Sequence, residues 1–215
     1  MAVGEKILIV DDHPVVVDGL VLILEQLMPS CTIVTAGSGS SACELVDNHR
    51  NADWIFLDVN LPDADGIELL KRFDDMKLTA QTIILSRDCS PQVVDRAIRH
   101  RANGFLSKSF DRSELTRCIQ VVEAGDIYLA PALQIELKHY QNSVLEDRRR
   151  IESALTPRSL QTLSLMEAGY SNKEIASSCN IAESTVKSRV KVLMTLFDAD
   201  NRTHCVFEAK RLNII

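Results

Sequence analysis

Five short apolar runs, four of them almost unbroken and the one at 31–34 weaker, govern what this chain can fold into. They are Ile7-Leu8-Ile9-Val10, Cys31-Thr32-Ile33-Val34, Trp54-Ile55-Phe56-Leu57, Thr82-Ile83-Ile84-Leu85 and Gly104-Phe105-Leu106. A strand with one wet face alternates polar and apolar residues, whereas a run apolar throughout suits a strand covered on both faces. Between the runs lie stretches of helical period at 14–27, 39–49, 66–75, 90–100 and 111–123. Strands alternating with helices, joined by right-handed crossovers, predict an α/β unit with a five-stranded, doubly wound parallel sheet.

The pattern changes after residue 124. Leu133, Leu137, Tyr140 and Val144 recur at helical spacing and predict a connecting helix over 131–145, and the charge run Glu146–Arg150 reads as a solvated hinge. From Thr156 onward the period is helical throughout, predicting an all-α unit of four helices at 157–168, 171–179, 183–197 and 202–213. The expected domains are therefore 1–124, a linker over 125–152, and 153–215. Charge divides along the same lines. Residues 1–124 hold 12 Lys and Arg against 19 Asp and Glu, residues 125–152 hold 4 against 5, and residues 153–215 hold 8 against 6. An acidic front and a mildly basic tail point to two modules with different partners.

The remaining composition serves mainly to exclude. With 46% hydrophobic and 25% charged residues the chain has globular composition, and its most apolar stretch, Val15–Met28, is broken by Asp18 and Glu25, so no spanning helix is expected. The segment Met1–Lys6 runs into the first strand and does not read as a secretory signal. Cysteines at 31, 43, 89, 118, 179 and 205 form no Cys-x-x-Cys pair and lie near no zinc-spaced histidines. Reduced thiols and a cytoplasmic location are the expectation.

In an open parallel sheet, ligands bind at the carboxyl ends of the strands. Polar residues end four of the apolar runs: Asp11-Asp12, Asp58, Ser86 and Lys108. A lone Asp after a strand is often a helix cap, as Asp12 or Asp65 could be. Caps do not account for acids, a hydroxyl and a lysine ending four different strands. Three crowded carboxylates repel one another unless a cation sits among them, and hard oxygen donors with room for water suit Mg²⁺. Such a set suggests a carboxylate nucleophile accepting a phosphoryl group, with metal and lysine neutralising transition-state charge.

Val10-Asp11-Asp12-His13-Pro14, Leu57-Asp58-Val59-Asn60-Leu61-Pro62-Asp63-Ala64-Asp65-Gly66, Ser86 and Gly104-Phe105-Leu106-Ser107-Lys108 resemble the motifs of a response-regulator receiver domain, over residues 6–123. The resemblance implies a flavodoxin-like fold with Asp58 as phosphoacceptor. It implies that Asp11, Asp12 and Asp58, with the Asn60 carbonyl, hold Mg²⁺. Lys108 would pair with the phosphoryl group, Ser86 would hydrogen-bond it, and Phe105 would occupy an aromatic switch position. Phosphorylation adds nearly two charges and new acceptors. It would draw Ser86 inward and let Phe105 rotate inward behind it.

Residues 171–197 read as a helix-turn-helix. Ser171 can cap, Ile175 and Ala176 face inward, and Asn180 suits a left-handed turn after Cys179. In the second helix Val186, Val190, Leu193 and Phe197 form a core stripe, while Ser184, Lys187, Ser188 and Lys191 form a polar, cationic face of the kind that docks in a major groove. Thr156-Pro157-Arg158, residues 169–176, Thr185-Val186-Lys187 and Asn201-Arg202-Thr203 resemble the LuxR-type tail of the NarL/FixJ class. The resemblance implies a cytoplasmic two-component regulator of transcription, not a turnover enzyme, with a sensor histidine kinase and double-stranded DNA as partners. Lys187, Ser188 and Lys191, joined by Ser184, Arg189 and Lys173, would contact DNA. The last helix would form a homodimer through Cys205, Ala209 and Leu212.

The chain departs from that pattern in places. Ser159 replaces a usual Glu and removes half of a capping box, and Ala182 replaces a usual Ser cap, for which Ser184 is a substitute one register on. Arg189 adds charge, Leu196 removes one, and Asp198 stands where Gly is common. Ala182, Leu196 and Asp198 motivate a regulator that acts by protein contacts. A Mg²⁺-dependent phosphohydrolase is a second alternative, although Asn60 sits where such an enzyme often places a second Asp. A redox role for Cys89 beside Ser86 is a third, weighed against a plain loop spacer.

Overall fold

The computed structural model describes residues 4–48 and 51–215; the expected last residue of the second helix, His49, lies outside them. The chain divides into two compact units, Met1–Lys138 and His139–Ile215.

In the first unit β1 (Lys6–Val10), β2 (Thr32–Ala36), β3 (Trp54–Asp58), β4 (Gln81–Ser86) and β5 (Gly104–Ser107) alternate with α1 (Pro14–Leu27), α2 (Gly39–Asn48), α3 (Gly66–Asp75), α4 (Pro91–Arg99) and α5 (Arg112–Glu123). The sheet is parallel in the order β2-β1-β3-β4-β5-β6. The sixth strand, β6 (Tyr128–Leu129), corrects the expected five. It pairs Gly104 with Tyr128 and Phe105 with Leu129, and two residues after the Gly125 turn are too few to show an apolar run.

The unbroken apolar runs are resolved by their two-residue period. Leu8, Val10, Ile55, Leu57, Ile84 and Phe105 cluster with α2, α3 and α4 through Ala42, Val46, Ile67, Phe73, Val94 and Ala97. Ile7, Ile9, Trp54, Phe56, Ile83, Leu85 and Leu106 cluster with α1 and α5 through Leu20, Leu24, Leu115, Ile119 and Val122. Both faces are thus dry, as a doubly wound sheet requires. The chain leaves β1 for β2 on one side and for β3 on the other, which puts the switch in strand order beside the carboxyl ends of β1 and β3.

The helix α6 (Pro131–Ala154) runs unbroken through Glu146–Arg150, so the expected hinge is helical. Arg148 pairs with Glu152 at 2.8 Å and Arg150 with Asp147 at 3.1 Å, while Val144 and Ile151 are buried in the second unit's core. Charges at these spacings support a helix, and the apolar residues among them anchor it.

The second unit continues with α7 (Pro157–Glu167), α8 (Asn172–Cys179), α9 (Glu183–Leu196) and α10 (Arg202–Arg211) around a core that includes Leu163, Ile175, Val186, Leu193 and Phe197. Ser171 and Glu174 form a complete capping box at α8, and Asn180 closes that helix at φ 53°, ψ 50°. At α7 the Thr156 hydroxyl accepts the Ser159 amide at 3.2 Å, and Ser159 turns its own hydroxyl to Thr156 at 2.9 Å. Ala182 caps α9 with no side-chain bond, and Ser184 lies inside the helix rather than substituting for the cap.

Candidate functional site

Each strand end delivers one group to a common rim. Asp11 follows β1 and is held there by its amide donating to the Ala36 carbonyl at 3.0 Å. Asp58 ends β3 and Ser86 ends β4, while the Lys108 amide donates to the Ser86 carbonyl at 2.8 Å. Asp58 is 1% exposed and Asp11 3%. Lys108 Nζ stands 2.6 Å from Asp58 Oδ2 and 2.7 Å from Asp11 Oδ2. The second approach is off the direction of a hydrogen bond, so Asp11 Oδ2 is buried with an ion-pair partner and no donor. On the other side, the Asn60 amide donates to Asp58 Oδ1 at 3.1 Å.

Burial pushes the Asp58 carboxyl up from the usual range, and the Asp11 charge pushes the same way; the Lys108 and Asn60 hydrogen bonds pull it down without cancelling the rise. Asp12 is the more open acid, with its side chain 34% exposed. Ligand atoms of Asp11, Asp12, His13 and Asp58 all lie within 4.8 Å of one another. A hollow of about 290 Å³ opens beside the acid pair, lined by Asp11, Asp12, Pro14, Thr35 and Gly37 among others. Clustered carboxylates, two of them neutralised here by Lys108 and two bordering open space, are a donor set that fits a divalent cation.

The loop after β3 is fixed by two residues that the sequence reading did not assign to the site. Asp63 accepts from the Gly39 amide at 2.7 Å and from the Ser40 hydroxyl at 2.7 Å, binding the loop to the start of α2. The Ser40 hydroxyl holds the Asp63 carboxyl below its usual range. Gly66 opens α3 against Asp58, where a Cβ would stand 2.0 Å from the Asp58 carbonyl oxygen. Asp65 caps α3 through the Ile67 amide at 2.8 Å and meets Arg96 of α4 at 2.9 Å.

Other expected residues fall into place unevenly. Ser86 is fully buried, and its hydroxyl accepts from the Asp88 amide at 3.1 Å. Phe105 is 0% exposed, its ring already lying inward, and Ile84, Ala97, Ala102 and Leu129 belong to its cluster. Cys89 is half-buried with its thiol pushed up by burial, which disfavours a reactive thiolate. The six cysteines are free.

In the second unit Ser184, Lys187, Ser188 and Lys191 are exposed along one face of α9, and Lys173 is exposed near the start of α8. Lys187 is paired with Glu183 at 2.9 Å. Arg189 is half-buried and out of phase with that face, flanking the core stripe instead. Cys205, Ala209 and Leu212 are corrected as interface residues: they are 0%, 0% and 2% exposed in the core of their own unit. Their spacing marks the helix's inward stripe, while Phe207 on the outer face is 61% exposed.

A family model described as the response regulator receiver domain matches residues 7–120, and one described as bacterial regulatory proteins of the luxR family matches residues 153–209. The chain is a response regulator with a luxR-type C-terminal domain. It is 32% identical to the glycerol metabolism activator of Pseudomonas putida, covering 95% of this chain and 94% of that protein. It is 31% identical to the nitrate/nitrite response regulator protein NarL of Escherichia coli K12 over 87% of each. Among solved structures it resembles the response regulator ChrA of a heme-sensing two-component system at a TM-score of 0.51 and 26% identity, over 99% of this chain and 100% of that one. It shares its fold with RcsB of Salmonella typhimurium at a TM-score of 0.60 and 20% identity, over 99% and 100% of the two chains. No helix among the described residues is long and apolar enough to cross a membrane.

Proposed function

We propose that this response regulator is a cytoplasmic switch in which residues 1–124 accept a phosphoryl group on Asp58 and residues 153–215 bind double-stranded DNA, joined by residues 125–152. The observation that carries the reading is the Asp58 carboxylate, buried at a strand end and held at 2.6 Å by the Lys108 ammonium within a cluster of three acids. Asp58 attacks the phosphorus of a phosphohistidine on a sensor kinase. An O–P bond forms as the P–N bond breaks, and the electron pair leaves with the imidazole.

Lys108 is placed to neutralise charge on the transferred group, and its side chain is nearly enclosed, which strengthens that interaction. The Asn60 amide orients the carboxylate, while the Ser86 hydroxyl is the donor for a phosphoryl oxygen. Asp11, Asp12 and Asp58, with the Asn60 carbonyl, would hold Mg²⁺, which supplies charge neutralisation and orientation when bound. The family favours this reading over a phosphohydrolase, and the chain acts once per phosphorylation rather than turning over substrate.

The exposed Ser184, Lys187, Ser188 and Lys191 face supports docking of α9 in a major groove, with Lys173 on a flanking phosphate. Homodimerisation on DNA would use the outer face of α10 rather than its buried stripe. The test is selection of duplexes from a random library by wild type and Asp58→Ala, each with and without acetyl phosphate and Mg²⁺. Wild type is expected to enrich one sequence class more strongly with the phosphodonor, and Asp58→Ala to show no change. Equal enrichment in all four conditions would overturn phosphorylation control. Absence of any enriched class would favour action through protein contacts, for which the uncapped α9 is the motivating feature.

A further inference from the structure

The outward side of α9 is lopsided. The core stripe of Val186, Val190, Leu193 and Phe197 fixes the inward direction, and at about 100° per residue Ser184, Ser188 and Thr195 lie opposite it. Lys187 and Lys191 flank that line on one side, while Val192 and Leu196, one helical turn apart, flank it on the other. Val192 is 61% exposed.

One exposed valine is unremarked on most folded surfaces. This one has company: Lys191, Val192, Thr195 and Leu196 line a single shallow hollow of about 340 Å³, almost wholly apolar in surface. The Thr195 hydroxyl is turned back onto the helix, donating to the Lys191 carbonyl at 3.1 Å. Lys191 contributes its methylene stem and keeps its ammonium for solvent or phosphate. The hollow therefore continues the cationic face instead of lying apart from it.

A face that carries lysines along one flank suits a polyanion, and duplex DNA has one apolar group on its base edges in the major groove, the thymine 5-methyl. The helical rise sets Val192 about 6 Å beyond Ser188 along the axis, close to two base-pair steps of about 3.4 Å. A helix that brings Ser184 and Ser188 to base edges carries Val192 to an edge about two steps further on. We propose that Val192 is a specificity-determining residue that reads a thymine 5-methyl, with Leu196 and Thr195 completing the hollow around it. The inference rests on α9 as the DNA-docking helix and adds the base feature that its apolar flank recognises.

The test uses the full chain with acetyl phosphate and Mg²⁺, and the duplex most enriched by wild type from a random library. Each thymine is replaced in turn by deoxyuridine, which removes the 5-methyl and leaves base pairing intact, and binding is read by fluorescence anisotropy. Wild type is expected to lose about fourfold in affinity at one thymine, the scale of burying one methyl group. In Val192→Ser the same replacement should cost less than about 1.5-fold, while Val192→Ile should keep the loss. The salt dependence of binding should be the same in all three proteins, because Val192 touches no phosphate. An enriched duplex without thymine, a wild type indifferent to every replacement, or an equal loss in Val192→Ser overturns the thymine contact and leaves DNA docking by α9 standing. Self-association of wild type that disappears in Val192→Ser assigns the hollow to a second copy of the chain and overturns the contact as well. Enrichment of no duplex at all contradicts the docking reading itself.

Discussion

Gly66 is the residue whose absence of a side chain matters most to the pocket. A Cβ there would lie 2.0 Å from the Asp58 carbonyl oxygen and 3.0 Å from Val59 Cα, both backbone atoms that cannot swing aside. Gly66→Ala is therefore expected to cost about 2 kcal/mol in urea denaturation, within the usual range for overpacking, and to slow phosphorylation by displacing Asp58. Asp58 itself carries a stability cost. Its folded carboxyl titrates above the unfolded one, so below the unfolded value both states are protonated and no penalty exists. As pH rises through the folded value, the buried charge comes to oppose folding. In the presence of a chelator Asp58→Asn is expected to melt a few degrees higher than wild type at pH 7, with the gap closing toward pH 4. A constant gap across that range would mean that the substitution acts through packing. Asp58, Ser86 and Lys108 were legible in the sequence because each ends an apolar run, and strand direction alone carries such residues to one rim. The direction of the His13 ring was not legible, since it follows from one amide donating to Asp11. Nor was the depth of Phe105, which depends on a core drawn from many strands and helices.

At the scale of elements, α9 combines an exposed polar, cationic face with a weak start. Ala182 has extended backbone angles, φ −68° and ψ 144°, that suit a capping serine. Ala182→Ser is expected to stabilise the second unit by about 1 kcal/mol, read by thermal denaturation. Glu183 engages Lys187 at 2.9 Å and adds negative charge beside the face proposed to meet DNA. Glu183→Gln is expected to raise affinity for duplex DNA about two- to tenfold at low salt and to steepen the salt dependence by up to about one unit of slope. Unchanged affinity and slope would remove Lys187 from the contact set. Periodicity located these helices well, because a 3.6-residue stripe survives translation into structure. It was mute about which apolar stripe faces a partner: Cys205, Ala209 and Leu212 have the spacing of an interface and are buried in their own unit. The charge run 146–150 misled for the opposite reason. Composition marks it as solvated, and solvated it largely is, but its i,i+3 and i,i+4 pairs keep it helical.

For the molecule as a whole, the sequence divides into an acidic α/β module and a weakly basic helical one, and the structure builds a separate core for each. The fold was readable to this extent because both faces of the central strands are dry, which leaves β1, β3 and β4 almost wholly apolar. Only β6, with two residues, fell below the length at which such a run can be seen. Any influence of the first module on the second is bounded by the difference in affinity of the phosphorylated and unphosphorylated states for DNA. The chemistry that starts that influence is open to direct measurement. Intact mass spectrometry after incubation with acetyl phosphate and Mg²⁺ should show the gain of one phosphoryl group, absent in chelator and absent in Asp58→Ala. A wild-type chain that gains no mass, or an Asp58→Ala chain that gains as much, would contradict Asp58 as the phosphoacceptor.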